Sequence, residues 1–168
     1  MSGIHLESAK YKNAPFKVSH SLIRPSDTVP YSPGDAVTGN TTQTIMFTVA
    51  GVPEGAILTI QQAELMRDGT SADYFELWLF HTDVTANNDN DPFSLSDIDL
   101  DKGDGGIIDF TDARSSGNGL RYVTRLDPGN KIKISDGSRS FYGLLKSVSG
   151  NTPVSGEYYK IELKGVVG

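Results

Sequence analysis

The chain has 168 residues and a net charge of −6, and it contains no cysteine, which excludes disulfide bonds and thiolate ligands or nucleophiles. It has no apolar run of the roughly 20 residues that a membrane span needs and no signal-peptide core, so we expect a protein made and used in solution without a membrane partner. Apolar residues form 37% of the chain, with 18 glycines and 8 prolines, which is typical of an all-β domain with many turns.

The acidic residues are concentrated in one segment. Nine aspartates and a single lysine lie between positions 83 and 112, which gives this segment a net charge of −8 and leaves the remainder at +2. No run of Lys and Arg that could contact phosphates is visible, so we expect no nucleic-acid partner. The acidic segment could face a basic partner, bind a cation, or be a solvated loop.

The start of the chain predicts an arm followed by one domain. Residues 1–17 are polar and aperiodic, so we expect an N-terminal arm or edge segment there and a single β-sandwich domain over 18–168. Residues 18–23 form a short strand pattern. Three prolines between positions 25 and 33 then exclude helix and central strand, which predicts a long surface connection.

The most apolar stretch, residues 56–82, predicts two long strands joined at Asp68-Gly69 in a β-hairpin. Alternation gives the second strand two faces, one of Phe75, Leu77 and Leu79 and the other of Tyr74, Trp78 and Phe80. We expect the first face to pack on an opposite sheet. The second face also needs a cover, which either the proline-rich connection or a neighbouring subunit would supply.

The first strand of this hairpin contains an irregularity. Its apolar positions change parity near Gln61-Gln62, and a slip of one residue turns side chains to the other face, so we predict a β-bulge there. A short helix over residues 61–68 is the alternative, because these residue types favour helix.

The remaining chain predicts short strands separated by turns. Ser94 with Asp97 could cap one helical turn. Residues 126–131 suit a type II turn, and Asp136-Gly137 predicts a second hairpin. Strands are expected over 44–50, 107–110, 120–125, 131–135, 139–148 and 158–167. About nine strands in all predict an antiparallel β-sandwich of jelly-roll type.

Residues for catalysis are few. His5, His20 and His81 are the histidines, and none occurs in a motif that supplies a nucleophile, a metal-bound water or a phosphate loop. A catalytic base must also be oriented by a rigid neighbour, and His5 lies in the expected arm. We therefore expect a non-enzymatic protein with no catalytic residues and no cofactor.

One part of the acidic segment resembles a calcium loop. Alternate aspartates can direct several hard oxygen ligands at one Ca²⁺ ion. The loop departs from an EF-hand because Lys102 replaces the sixth-position glycine and Ile108 replaces the twelfth-position glutamate. A solvated acidic loop is therefore the alternative. The candidate ligands are Asp97, Asp99, Asp101 and Asp104.

The aromatic residues allow a further alternative, a carbohydrate-binding module. β-Sandwiches can bind sugars through exposed aromatic rings and carboxylates. The opposing interpretation is that aromatics at strand spacing fill a core or a subunit contact. The candidate rings are those of Tyr31, Tyr122, Tyr142, Tyr158 and Trp78.

Three segments resemble a family of tailed-bacteriophage structural proteins. The family string Arg-Pro-x-Asp-Thr-x-x-Tyr-x-x-Gly-Asp-x-Val is similar to residues 24–37, and residues 76–97 and 140–165 resemble its later segments. The resemblance covers most of residues 19–166. The matching positions of the string are Arg24, Pro25, Asp27, Thr28, Tyr31, Gly34, Asp35 and Val37.

The resemblance implies a virion component, namely a head decoration (cement) protein on the outer surface of the head. Its implied partners are the major capsid protein and further copies of itself, as a dimer or trimer; a tail or neck component with a sugar-binding role is the alternative. Because arginine and aromatic side chains often anchor protein contacts, Arg24, Tyr31 and Trp78 are the expected interface residues. The proline-rich stretch would suit a docking arm, or it would pack on its own domain.

Overall fold

The computed structural model describes residues 10–168, which form two antiparallel β-sheets packed face to face. The strands are β1 (Pro15–Ile23), β2 (Ala36–Val37), β3 (Ile45–Thr48), β4 (Ile57–Arg67), β5 (Phe75–Phe80), β6 (Ile107–Phe110), β7 (Ala113–Ser115), β8 (Leu120–Lys133), β9 (Ser140–Ser147) and β10 (Tyr158–Val167). A single helical turn, α1 (Asp97–Leu100), lies between β5 and β6. No helix among residues 10–168 is long and apolar enough to cross a membrane.

The strand order is that of a jelly roll. Sheet I has the order β1-β10-β4-β8-β7, and sheet II has β9 between β5-β6 on one side and both β2 and β3 on the other. Apart from the pairs β2-β3, β5-β6 and β7-β8, each strand is followed along the chain by a strand of the other sheet. The sequence prediction of an all-β, jelly-roll-like sandwich is confirmed, with ten strands instead of about nine.

The core lies between the two sheets and contains most of the large apolar side chains. Phe47 and Phe141 stack with their ring centroids 5.1 Å apart. Phe75 of sheet II meets Tyr122 and Tyr159 of sheet I edge to face, at 5.7 and 6.0 Å. Such aromatic contacts add to the free energy gained by burying apolar area, and here they join the sheets.

Both predicted hairpins are wrong, because the strands concerned belong to different sheets. β4 pairs with β8 and β10, while β5 pairs with β6 and β9. The Asp68-Gly69 pair therefore begins a connection that crosses the sandwich. The Asp136-Gly137 pair likewise connects β8 of sheet I to β9 of sheet II. In each case the two strands belong to opposite sheets and are not hydrogen-bonded neighbours.

The predicted bulge is confirmed. The register of β4 shifts between Ile60 and Gln62 relative to β8, and the register of β10 shifts between Lys164 and Gly165 relative to β4. The helical alternative for this segment is not formed. The expected turn at residues 126–131 does not separate two strands, since only residues 126–129 loop out within the continuous strand β8, opposite the bulge in β4.

Two boundaries differ from expectation. β1 begins at Pro15, so residues 15–17 of the expected arm are part of sheet I, and residues 1–9 of that arm lie outside the described residues. The helical cap is formed by Ser96 and not by Ser94. The Ser96 hydroxyl accepts from the Asp99 amide at 3.2 Å and donates to the Asp99 carboxylate at 3.0 Å, which makes a capping pair.

Candidate functional site

The most distinctive polar cluster lies at the end of the sandwich where β1 ends and β10 begins. Arg24 follows β1, and its side chain is fully buried. Its Nε donates to the Tyr31 hydroxyl at 3.1 Å, and its Nη2 donates to the Asp89 carboxylate at 3.0 Å. The Tyr31 hydroxyl donates to the same carboxylate at 2.6 Å. Burial is the largest cause that raises the pKa of Tyr31, and the neighbouring Tyr159 and then Asp89 raise it further.

The same cluster folds the proline-rich connection. Arg24 Nη1 donates to the Asp27 carbonyl at 2.8 Å, and the Asp27 carboxylate accepts from the Val29 amide at 3.0 Å. The Asp35 carboxylate accepts from the Ser32 amide at 2.6 Å. Backbone groups without strand partners are thus bound by side chains of the connection itself. The connection therefore packs on its own domain.

Arg24 and Tyr31 do not serve as the exposed contact residues that the sequence suggested. Both side chains are buried against residues of the same chain, so no surface of theirs is available to another subunit. The reason is Asp89, which comes from the acidic segment and supplies a carboxylate that pairs with both. A buried arginine requires such a partner, and the sequence string does not reveal where it lies.

A second buried network adjoins the first. Arg67, at the end of β4, pairs with Glu157 and donates to the Asn151 side chain at 3.1 Å. Asn151 in turn donates to the Asp73 carboxylate at 2.8 Å. The chain carbonyl of Asn151 accepts from the Tyr31 amide at 2.8 Å, which joins the two networks. Sequence analysis missed this network because its members are far apart in the chain, at the end of β4, in the connection from β4 to β5 and in the connection from β9 to β10.

The two networks hold fixed, mutually paired charges. Asp73 also accepts from the Ser147 and Ser149 hydroxyls, so its carboxylate is occupied by hydrogen bonds. The side chains of both networks are held in place by their hydrogen-bond partners and are buried beneath the connections that they join. The arrangement therefore fixes the connections at this end of the sandwich.

The structure does not bring the four candidate calcium ligands together. Asp99 pairs with Lys102 at 2.9 Å, and Asp104 pairs with His81 at 2.9 Å. Asp97 and Asp101 are exposed on and after α1. Among residues 10–168, no group of three or more His, Cys, Asp or Glu side chains is arranged to hold a metal ion.

The described histidines have structural partners. The His20 ring donates from Nδ1 to the Met46 carbonyl at 3.2 Å, which links the edges of the two sheets. Burial lowers the pKa of His20, against a smaller opposite effect of this hydrogen bond. His81 contacts Asp104 near the surface, as stated above. His5 lies outside the described residues.

The outer face of β5 around Trp78 and Phe80 is covered by the acidic segment, and not by either of the expected covers, whereas Tyr74 is 51% exposed. Trp78 is half-buried, and its ring centroid lies 5.3 Å from that of Phe93. Phe80 is fully buried with Val84 and Leu144 in a small cluster that the connection between β5 and α1 closes. The connection is acidic along its exposed side and apolar along its inner side.

The candidate sugar-binding rings do not form one platform. Tyr31 and Tyr122 are buried, and Trp78 lies under Phe93. The Tyr158 hydroxyl is bound to Ser21 on sheet I at 2.7 Å, whereas Tyr142 packs beside the small cluster of sheet II. The five rings are therefore spread over the core and both sheets.

The outer face of sheet I has two central carboxylates surrounded by cations. Glu64 of β4 accepts from Arg121 and, at 2.9 Å, from Lys164. Glu162 of β10 pairs with both Lys17 and Lys164 at 3.0 Å. Burial by itself would raise the pKa of Glu64, but the hydrogen bonds from Lys164 and Arg121 lower it to about 2.

No protein-family model and no curated protein matches the sequence. Solved structures with a similar course of the chain include the cyanophage Pam1 capsid asymmetric unit, at 12% identity over 94% of this chain and 88% of that chain, with a TM-score of 0.38. A decameric BFDV capsid protein is similar at 14% identity over 91% and 96%, with a TM-score of 0.34. A turnip yellow mosaic virus structure is similar at 11% identity over 92% and 94%, with a TM-score of 0.28. The jelly-roll assignment rests on this chain's own strand order.

Proposed function

We propose that this protein is a non-enzymatic structural component of a virion, a decoration protein that binds the major capsid protein on the outside of the head and stabilises the shell. One observation carries the proposal. The string that resembles tailed-phage structural proteins folds into the paired cluster of Arg24, Tyr31 and Asp89. The resemblance thus falls on side chains that fix the proline-rich connection against the domain.

The physical character of the domain fits this role. A decoration protein must present a fixed surface to many equivalent sites, and preorganised loops lose little conformational entropy on docking. The two buried networks fix the connections at one end of the sandwich, and the acidic segment is packed on sheet II. Assembly as a homodimer or homotrimer would multiply the contact with the shell.

The test uses expanded shells that lack this protein. Purified protein is mixed with such shells, and the bound amount and the temperature of shell disruption are measured. We expect saturable, stoichiometric binding that raises the disruption temperature. Failure to bind any form of the head would overturn the proposal, and so would a copy number in purified particles low enough to fit only a tail or neck.

A further inference from the structure

The outer face of sheet I collects positive charge from strands that are far apart in the chain. On each of its strands, outward positions alternate with buried ones, and cross-strand register fixes which residues share the face. Eight of the 15 Lys and Arg residues occupy these positions, and the acidic residues there are Glu64 and Glu162. The eight are Lys17, Arg114, Arg121, Arg125, Lys131, Lys133, Lys160 and Lys164.

This basic face is opposite in sign to the rest of the molecule. Its eight cations and two carboxylates give it a net charge of +6, whereas the whole chain has −6, so the remaining residues have −12. Asp112 and Asp127 line two depressions beside cations of the face, and counting them as well leaves it a charge of +4, from eight cations and four carboxylates. The expectation that the chain has no basic cluster is therefore wrong in three dimensions, because the cations come from four separate strands: one each from β1 and β7, two from β10 and four from β8.

The charge on the basic face is unevenly compensated. Glu64 and Glu162 are paired with Lys17, Lys164 and Arg121 near the middle of the sheet. Towards β7 and the second half of β8, the exposed side chains of Arg114, Arg125 and Lys131 have no carboxylate within ion-pair distance among residues 10–168. The excess positive charge is therefore concentrated along β7 and β8.

The basic face also has exposed apolar side chains and a depression. Ile57 is 44% exposed and Val123 is 40% exposed, and both project from it between charged residues. A depression of about 730 Å³ lies where the bulges of β4 and β10 adjoin the looped-out part of β8, lined by residues that include Phe16 and Leu126. Arginine is enriched at protein contact surfaces, and the buried centre of such surfaces is more apolar than the surrounding protein surface.

We propose that the basic face is the docking surface of this protein and that its partner is an acidic protein surface, which on the proposed function belongs to the capsid shell. Electrostatic complementarity supports this choice, since a +6 face on an otherwise acidic molecule orients the protein towards a negative partner. The identification of the partner as the capsid shell rests on the proposed function. The inference that the partner surface is acidic rests only on the charge of the basic face.

Nucleic acid fits the face less well than protein does. Glu64 and Glu162 stand in its centre, where they would repel phosphates, and the low pKa of Glu64 keeps that charge at neutral pH. Tyr158 is the aromatic residue on its outward strand positions, and its hydroxyl is already bound to Ser21. Base stacking would therefore have little support.

The test reverses the charge of two residues of β8 that have no carboxylate partner among residues 10–168. In Arg125→Glu/Lys131→Glu the two exposed side chains lose no ion pair within residues 10–168, so the fold should be kept; circular dichroism and thermal unfolding check this. The matched control, Lys10→Glu/Lys12→Glu, changes the net charge equally on exposed residues before β1. Binding to depleted shells and to poly-L-glutamate is measured at several salt concentrations, with a duplex DNA in parallel.

We expect the β8 variant to bind both shells and poly-L-glutamate at least about tenfold more weakly than the parent, and the control to bind like the parent. Added salt should reduce the difference in affinity between the variant and the parent, because exposed charges are screened.

Equal binding by the β8 variant and the parent would overturn the docking surface while leaving the proposed function standing. Parent protein that binds poly-L-glutamate but no shell would overturn the proposed function and leave the acidic partner standing. Tighter binding of the parent protein to DNA than to poly-L-glutamate would overturn the inference. Salt-sensitive self-association of the parent protein, with no binding to shells or to poly-L-glutamate, would also overturn it.

Discussion

Arg24 and Asp89 stand 65 positions apart in the chain, and their side chains form an ion pair at 3.0 Å in the interior of the protein. The pair joins the connection after β1 to the connection after β5, so it ties together segments that leave different sheets. Removing a single partner from such a pair leaves a buried charge without compensation, which is more costly than losing the pair itself.

Replacing Arg24 with methionine should therefore destabilise the fold by about 3–5 kcal/mol. The measurement is the free energy of unfolding in urea. Asp27→Asn is the control, because the Asp27 side chain is 42% exposed and solvent screens its pair with Arg24, so the loss should be clearly smaller than for the Arg24 variant. Equal stability of the Arg24 variant and the parent would contradict the structural role of this cluster.

The cover over β5 can be monitored by the single tryptophan. Phe93→Ala should remove the ring that lies against Trp78 and cost about 1–2 kcal/mol, because Phe93 is only half-buried. Trp78 should then emit at longer wavelength and be quenched more readily by acrylamide. Phe93→Leu should retain most of the cover. Unchanged quenching in the alanine variant would show that the acidic segment is not what shields Trp78.

Gly165 lies at the register shift of β10, where two backbones approach closely. A Cβ atom at this position would overlap the carbonyl oxygen of Thr59 and come within 2.9 Å of the Phe16 ring. Gly165→Ala should therefore lower the free energy of unfolding by about 3 kcal/mol. At Gly39 the nearest atom to an added Cβ is the Ile23 carbonyl oxygen, 3.3 Å away, which needs to shift by only a few tenths of an ångström. Gly39→Ala is therefore the milder comparison, with a change below about 1 kcal/mol. Similar losses in both variants would contradict the bulge geometry.

Stability should depend on pH through Glu64. Its pKa is lower in the folded protein than in the unfolded chain, so the unfolded state takes up a proton first as the pH falls. The stabilisation is complete above the ordinary glutamate pKa near 4.5 and is lost as the pH falls towards 2. Its partners Lys164 and Arg121 are partly exposed and therefore screened by solvent, so we expect the free energy of unfolding to fall by about 1–2 kcal/mol over this interval.

Glu64→Gln is the variant that isolates this effect. Its free energy of unfolding should fall less steeply between pH 5 and pH 2 than that of the parent, by roughly the 1–2 kcal/mol assigned to Glu64. Glu162 titrates in the same direction, so some slope should remain. Parallel curves for the variant and the parent would remove Glu64 from the acid response.

Strand positions were largely predictable from sequence, whereas the assignment of strands to sheets was not. Alternation located β3, β6 and β10, and the change of parity at Gln61-Gln62 located the bulge. Alternation reports only which side chains are buried. It cannot distinguish a hairpin from two strands that face each other across a core, which is why Asp68-Gly69 and Asp136-Gly137 misled the topology.

The functional residues were harder to predict for a related reason. Arg24 and Tyr31 were recognised in the string, but their burial depends on Asp89, which the sequence places in a segment that resembled a solvated loop. The basic face has no local signature, because strand spacing separates its cations along the chain and cross-strand register brings them together. Such surfaces become visible only when the register is known.

The position of β10 between β1 and β4 has a consequence for the order of folding. During synthesis, sheet I lacks β10 until residues 158–167 have been made. Strand β1 therefore has no partner until then, because Lys17 pairs with Lys164, 147 positions further along the chain. Pairing over such separations is slow, because long loops must close before contacts form. Nascent chains thus expose two unpaired edges for most of their synthesis, and their yield should depend on how well the cell prevents those edges from associating.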